Sequence, residues 1–341
     1  MTTLWNDLRY AVRLLIRTPA FTVVAVATLG LGIGANTAIF SVVDAALINP
    51  LPFQDSERLV VLSNTVQRDT LERRPFSYPD YRDVRDRNQS FDGIAAWASA
   101  TFTLSAASGP ARQVEGELAS AGYFALLGAT PVAGRVFTTV EDEERDAHPV
   151  AVVSYPFWTR ELGGAAAAIG RTITVNDRAV TVIGVLPRGF TGLDDDTDVW
   201  IPMGMLALSE PARLYDTRSS RWLGVVGRMK PGVSLRQANA DVTTIARQLE
   251  QTYPASNARY GGAVFSLKEE TIGAFKPLLL TLLGAVAFVL LLACVNLANL
   301  LLARASSRQR ETAIRAAMGA DRRRLARQFV AEGLVLSAMG A

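Results

Sequence analysis

Two uncharged stretches decide the fold: Ala20–Val43, AFTVVAVATLGLGIGANTAIFSVV, and Leu278–Ala303, LLLTLLGAVAFVLLLACVNLANLLLA. At a rise of roughly 1.5 Å per residue, about 20 apolar residues cross a hydrocarbon layer of ~30 Å, so each stretch is long enough. A secretory signal also pairs basic residues with an apolar run, but that run covers only about 7–15 residues. Here apolar character continues past Ala38 to Val43 and on to Leu47.

Short basic segments stay in the cytoplasm, whereas long loops cross whatever their charge. Arg9, Arg13 and Arg17 precede the first stretch, and Arg304, Arg308, Arg310, Arg315, Arg322, Arg323, Arg324 and Arg327 follow the second. Both ends are therefore expected inside. Between Asp55 and Glu270 acids outnumber basic residues, although the whole chain is +3. The basic balance thus belongs to the membrane flanks and gives no sign of nucleic-acid binding. Cys294, the single cysteine, lies in the second apolar stretch, so the intervening domain folds without disulfides.

The expected organisation is membrane α-helical plus α+β, with membrane helices bracketing a large extracytoplasmic domain. Residues 1–18 form a cytoplasmic interfacial helix, 19–47 the first membrane helix and 48–270 the extracytoplasmic domain. Residues 271–303 follow as a stalk and second membrane helix, 304–327 as a cytoplasmic segment and 328–341 as the opening of a third, truncated membrane helix. In the first segment Leu4, Trp5, Leu8, Val12, Leu15 and Ile16 oppose the three arginines, and Pro19 ends the pattern. The stalk is expected to be one helix with the span from about Thr271, because Ile272, Phe275 and Leu279 keep helical spacing.

Short β-type runs recur between turn signals at 94–104, 113–118, 150–153, 172–175, 179–185, 199–201, 223–229 and 263–267. Ser77 and Asp80 have capping-box spacing ahead of a helix through Tyr81, Val84 and Arg87; shorter helices are expected at 120–127 and 154–162. The strongest helix is 234–253, where Ser234 and Gln237 form a capping box and Leu235, Ala238, Val242, Ile245 and Leu249 trace one stripe.

In the first span Gly30, Gly34 and Ala38 present a face of small residues that lets another helix approach, in this chain or in a second copy. A dinucleotide loop does not fit Gly30, Gly32 and Gly34, since no strand precedes them and the third fingerprint glycine is missing. Asn36, Asn296 and Asn299 are polar groups within apolar spans, read as helix-to-helix hydrogen-bonding groups.

No GxxxxGK[ST] loop occurs, so any ATP is hydrolysed by another chain. His148 stands alone in an acidic loop, which leaves no zinc set, Cys-His pair or Ser-His-Asp triad. Asp194, Asp195, Asp196 and Asp198 lack the Gly and Glu of an EF-hand loop and read as a solvated turn, as do Glu141–Glu144. The expected catalytic, metal and cofactor sets are empty.

Several segments taken together resemble the N-terminal part of a MacB-like, FtsX-like ABC transporter permease. They are Asp7–Arg13 (DLRYAVR), Gly30–Asn36 (GLGIGAN), Val150–Trp158 (VAVVSYPFW), Ile169–Arg171 (IGR), Val182–Pro187 (VIGVLP) and Asp198–Pro202 (DVWIP). The most specific is Cys294–Arg304 (CVNLANLLLAR) followed by Arg308–Ala320 (RQRETAIRAAMGA). The likeness is particularly to the large duplicated type described from acidobacteria. It implies a MacB-type periplasmic core domain, and an inner-membrane protein that opens no tunnel for substrate through its helices. Instead, ATP-driven dimerisation of a partner ATPase moves the membrane helices and reshapes the periplasmic domain for efflux or export. The implied partners are the ATPase, the bilayer, a second permease copy or half, and a periplasmic adaptor or envelope protein. Arg310, Glu311, Arg315 and Gly319 are the positions that would dock the ATPase. Permeases of this kind have at least four membrane helices, so this chain is expected to be part of a larger one. The alternative is a noncatalytic FtsX-like protein that regulates an envelope partner.

Overall fold

The computed structural model describes residues 9, 12, 13, 15–43, 51–66, 72–105, 110–194, 196–273, 275–307, 333, 335 and 337–339. The chain divides into two units, Pro50–Thr271 and the flanking pair Met1–Asn49 with Ile272–Ala341.

In the flanking unit, helix α1 (Pro19–Val43) begins on the proline that the sequence marks as a break. Proline suits the first turn because its missing N–H has no helical partner there. The hydroxyls inside this apolar helix are satisfied locally: Thr28 donates to the Val24 carbonyl at 2.7 Å and Ser41 to that of Thr37 at 2.8 Å. That is what an apolar solvent demands of every polar group. Residues 44–47 and the third-helix opening, apart from isolated helical positions between 333 and 339, lie outside the described residues.

The Pro50–Thr271 unit is built on one eleven-stranded mixed sheet. In chain order its elements are β1 (Leu59–Val66), β2 (Arg73–Arg74), α2 (Tyr78–Arg87), β3 (Phe91–Ser105), β4 (Arg112–Ala119), α3 (Tyr123–Leu127), β5 (Ala133–Gly134), α4 (Thr139–Glu143) and β6 (Val150–Val153). Then come α5 (Tyr155–Glu161), β7 (Thr172–Val175), β8 (Arg178–Val185), β9 (Val199–Pro202), β10 (Gly224–Met229), α6 (Leu235–Thr252), α7 (Pro254–Asn257), β11 (Tyr260–Ser266) and α8 (Leu267–Ile272). The strand order is β11-β1-β10-β3-β4-β9-β6-β8-β5, with β2 on β1, and β7 on both β3 and β8. The pairs β4–β9 and β6–β8 are parallel and the rest antiparallel.

Both faces of this sheet are covered. Val60, Leu62, Ala96, Ala151, Val153 and Val225 point into one core, closed by Tyr81 and Val84 of α2 and by Ala238, Val242, Ile245 and Leu249 of α6. Leu59, Val61, Ala95, Val152, Trp200 and Val226 point into the other, closed by Tyr123, Phe124 and Leu127 of α3. Strand β1 is therefore apolar at every one of its first four positions, and it is a strand that the sequence reading leaves out. Period-2 alternation disappears when a strand is buried on both sides. The edge strand β11 is protected by α6: the Asn239 side chain accepts the Val264 N–H at 3.0 Å, and the Thr243 hydroxyl donates to the Gly262 carbonyl at 3.0 Å. An unpaired edge would otherwise offer itself to another chain.

Four sequence expectations need correction. Leu235 is an exposed member of the α6 stripe, because it stands in the first turn beyond the sheet; the other four members are buried. The stalk is not one helix with the span: α8 ends at Ile272, turns intervene at Gly273 and Phe275, and α9 (Lys276–Ser307) starts afresh with Pro277 in its first turn. Glu141 and Asp142 are buried rather than solvated, since α4 carries its own capping box, with Thr138 and Glu141 serving each other's backbone N–H. Finally, Ser77 caps α2 alone, for the Asp80 carboxylate is turned into the domain.

Candidate functional site

Helices α1 and α9 cross inside the flanking unit. Ala25 and Leu29 of α1 pack with Leu297 and Leu301 of α9, and a Cβ added at Gly32 would lie 3.1 Å from the Ala293 Cβ. Positions 25, 29 and 32 share one helix face. It is not the face of Gly30, Gly34 and Ala38: Gly30 is half-buried, Gly34 and Ala38 are exposed, and nothing stands within 4 Å of a Cβ at Gly34. Asn296 and Asn299 are likewise exposed on α9. Large apolar side chains cover the outside of both helices, with Leu31 75% and Phe288 71% exposed, a surface that suits hydrocarbon rather than water. The positions Arg310, Glu311, Arg315 and Gly319 lie outside the described residues.

Inside the Pro50–Thr271 unit, Asp80 ties three segments together. Its carboxylate, 1% exposed, accepts Arg218 Nη1 at 2.7 Å, Arg221 Nη1 at 2.8 Å and Asn257 Nδ2 at 3.2 Å. The two guanidinium groups stack on aromatic rings, Arg218 over Tyr253 at 3.7 Å and Arg221 over Tyr260 at 3.8 Å. Arg218 also stands 2.6 Å from Asp83 Oδ2, off the line of a hydrogen bond, so that contact is an ion pair alone. Buried charge is tolerated here because every member has an opposite or aromatic partner.

Two other buried acids have no ion-pair partner among the described residues. Glu117 of β4 accepts the Trp200 indole N–H at 2.5 Å and the Asp194 backbone N–H at 3.1 Å, yet burial, with Asp194's charge adding to it, pushes its carboxyl up to about 7. Asp142 accepts the Ala121 N–H at 3.1 Å while its Oδ1 has no partner, and burial raises its carboxyl to about 6. Asp142 in turn adds to the burial that raises Tyr78 and Tyr81 to about 12. Glu141, paired with Arg135 at 2.7 Å, is instead held down near 2 by that hydrogen bond.

The remaining sequence candidates are dispersed. His148 Nε2 meets Glu144 at 2.7 Å and stands with no second ligand-type partner among the described residues. The acidic run is pinned at its two half-buried ends, while Asp196 is exposed: Asp198 accepts Ser154 at 3.1 Å and Arg160 at 2.7 Å, and Asp194 accepts the Ser99 hydroxyl. Asp195 lies outside the described residues.

Residues 22–245 match the model of the MacB-like periplasmic core domain, and residues 283–341 match the FtsX-like permease C-terminal model. The chain belongs to the MacB/FtsX-like ABC permease family. This permease chain is 29% identical over 226 residues to the pyoverdine export ATP-binding/permease protein PvdT of Pseudomonas syringae pv. tomato, covering 64% of this chain and 32% of that protein. It is 32% identical over 219 residues to the macrolide export ATP-binding/permease protein MacB of Azoarcus sp., covering 62% and 31%. It thus spans about a third of the length of the curated relatives it matches. Among solved structures, the periplasmic region of MacB from Actinobacillus actinomycetemcomitans matches with a TM-score of 0.45 at 13% identity, covering 62% of this chain and 90% of that one. The extracellular domain of the ABC-type transporter YknZ from Gram-positive bacteria gives 0.44 at 17%, covering 60% and 98%.

Sequence reasoning about the permease missed Glu117 and the partners of Asp80, and it read the buried Asp142 as solvated. Arg218 and Arg221 are 138 and 141 positions from Asp80, so no local spacing links them. The one local hint of Glu117 is its place in a strand whose neighbours Leu118 and Ala119 are wholly buried.

Proposed function

We propose that the chain is a noncatalytic permease subunit of a MacB-like ABC transporter in the bacterial inner membrane. It couples ATP hydrolysis by an ATPase to conformational change of a periplasmic domain, for efflux or export. The observation that carries this reading is the order of parts: a folded core domain bracketed by two helices long and apolar enough to cross a membrane. The basic residues outside that bracket support a periplasmic core domain with both flanks in the cytoplasm. The relatives' names join ATP-binding to permease, while this sequence has no phosphate-binding GxxxxGK[ST] loop, so the ATPase is supplied from elsewhere.

The 304–327 segment is the coupling element. We propose that the 308–319 segment docks the ATPase through Arg310, Glu311, Arg315 and Gly319, with Glu311 and Arg315 at the i,i+4 spacing of an ion pair. The open face of Gly30, Gly34 and Ala38 receives a helix of a second permease copy or half.

The test is co-purification of the cognate ATPase with the tagged permease from detergent-solubilised membranes. The wild type is expected to retain it, and Glu311→Arg with Gly319→Leu to lose it. Retention by the double variant overturns the docking assignment, and failure of the wild type to retain any ATPase overturns the transporter reading.

A further inference from the structure

The first part of the loop between β8 and β9, Pro187–Asp194, lies as a lid on one buried carboxylate. Glu117 is 0% exposed. The lid presses on it directly: Gly192 has φ +85°, and a Cβ there would lie 2.9 Å from both carboxylate oxygens. Next along the loop, the Asp194 N–H donates to Oε1 at 3.1 Å. The Leu193 N–H donates to the Tyr123 hydroxyl at 2.8 Å.

The groups facing Glu117 from each packed element are Ser99 across β3, Tyr123 of α3, Trp200 of β9 and Asp194 of the lid. Three are neutral, and the charged one, Asp194, has the same sign as an ionised Glu117. An ionised Glu117 beneath a closed lid is therefore a buried anion without a cation, next to a second anion. Two N–H donors, of Trp200 and Asp194, offset part of that penalty, which leaves the group poised near neutral pH rather than locked in either state.

The other side of the lid meets the chain that follows α1. Phe190 packs edge-on to Phe53 with ring centroids 6.4 Å apart, and both join the apolar cluster that includes Leu51 and Leu193. Trp200 serves both sides, its indole N–H bound to Glu117 and its ring 5.8 Å from that of Phe190.

We propose that Glu117 is a proton-operated latch on the Pro187–Asp194 segment: carrying its proton it lies beneath a closed lid, and losing that proton to solvent it lifts Gly192–Asp194 and unseats Phe53 from Phe190. The direction follows from linkage, because opening hydrates the carboxylate and so favours the ionised form. In the permease this makes the docking of the segment leading from α1 dependent on the pH around the core domain. That this is the pH outside the cytoplasm rests on the function proposed above, whereas the latch chemistry does not.

Hydrogen exchange of the whole chain in lipid nanodiscs, which expose both membrane faces, tests the latch independently of orientation. After correction for intrinsic exchange, protection of the Leu193 and Asp194 amides is expected to fall at least about tenfold between pH 6 and pH 8.5. Glu117→Gln, which cannot ionise, should stay protected throughout. Asp194→Asn, which removes the like charge and leaves the core untouched, should lose markedly less protection than the wild type. A flat wild-type profile overturns the proposal, as does a Glu117→Gln profile that falls like the wild type. If Glu117→Gln fails to fold, an Asp194→Asn profile identical to the wild type overturns it instead.

Discussion

Replacing Asp80 by Ala should loosen the Pro50–Thr271 unit more than any surface change. The carboxylate is 1% exposed and neutralises Arg221, whose side chain is only 5% exposed, and Arg218 at 18%. Without it, two guanidinium groups face each other in a water-poor site, and removing one member of such a buried ion pair costs about 3–5 kcal/mol. For a domain of this size each kcal/mol moves Tm by about 2–4 °C, so the variant should melt roughly 6–20 °C lower. Thermal unfolding of the detergent-solubilised chain, followed by tryptophan fluorescence, reads this directly. Arg218→Ala should lose less, because Arg218 is more exposed and Asp80 keeps Arg221. If Asp80→Ala melts within about 2 °C of the wild type, the carboxylate is not the tie between α2, the Arg218–Arg221 segment and α7.

Stability should also fall as pH rises from about 5 to 8. Glu117 near 7 and Asp142 near 6 are both raised above their ordinary values of 4.5 and 3.8. Their stabilising contribution is complete below those ordinary values and disappears as pH passes the raised ones. At 1.36 kcal/mol per unit the Glu117 share is of order 3 kcal/mol, so Tm at pH 8 should lie several degrees below that at pH 5, and Glu117→Gln should flatten the slope. A Tm that rises over this range refutes the assignment. Glu141, held near 2, contributes above 4.5 and weakens only in stronger acid, so it leaves this window unchanged. In the flanking unit, Gly32→Leu should weaken a disulfide crosslink between cysteines placed at Leu29 and Leu297, since even a Cβ at Gly32 meets Ala293 at 3.1 Å. Gly34→Leu should leave that crosslink intact and weaken association with a second copy; equal crosslinking by both variants contradicts the observed crossing.

The two long apolar helices, most of the strands and the α6 capping box were legible because each rests on a local signal: an apolar run, a turn-bounded β run, a Ser–Gln pair. The first apolar helix begins at Pro19, the second at Lys276 rather than near 271, and the strands Val150–Val153 and Thr172–Val175 matched their expected limits. What the sequence hid was set by tertiary contact. Strand β1 has no alternation because helices cover both sides of it. Asp80 has the spacing of a capping residue, and only partners far along the chain reveal its ion pairs. Gly30 and Gly34 carry the familiar small-residue spacing, yet Gly32 makes the close approach, because the contact face is fixed by Ala25 and Leu29. Glu141 and Asp142 look like solvent-facing acids by composition, and the Thr138 cap with Arg135 draws them inside.

The central claim is that the core domain stands outside the cytoplasm, held by an apolar helix at each end. The direct measurement places one cysteine at Gln248, exposed on α6, in a chain whose native Cys294 is replaced by Ala. Treating intact spheroplasts with a membrane-impermeant maleimide should label Gln248→Cys as fully as treating lysed ones. Labelling that appears only after lysis would put the domain in the cytoplasm and contradict the account.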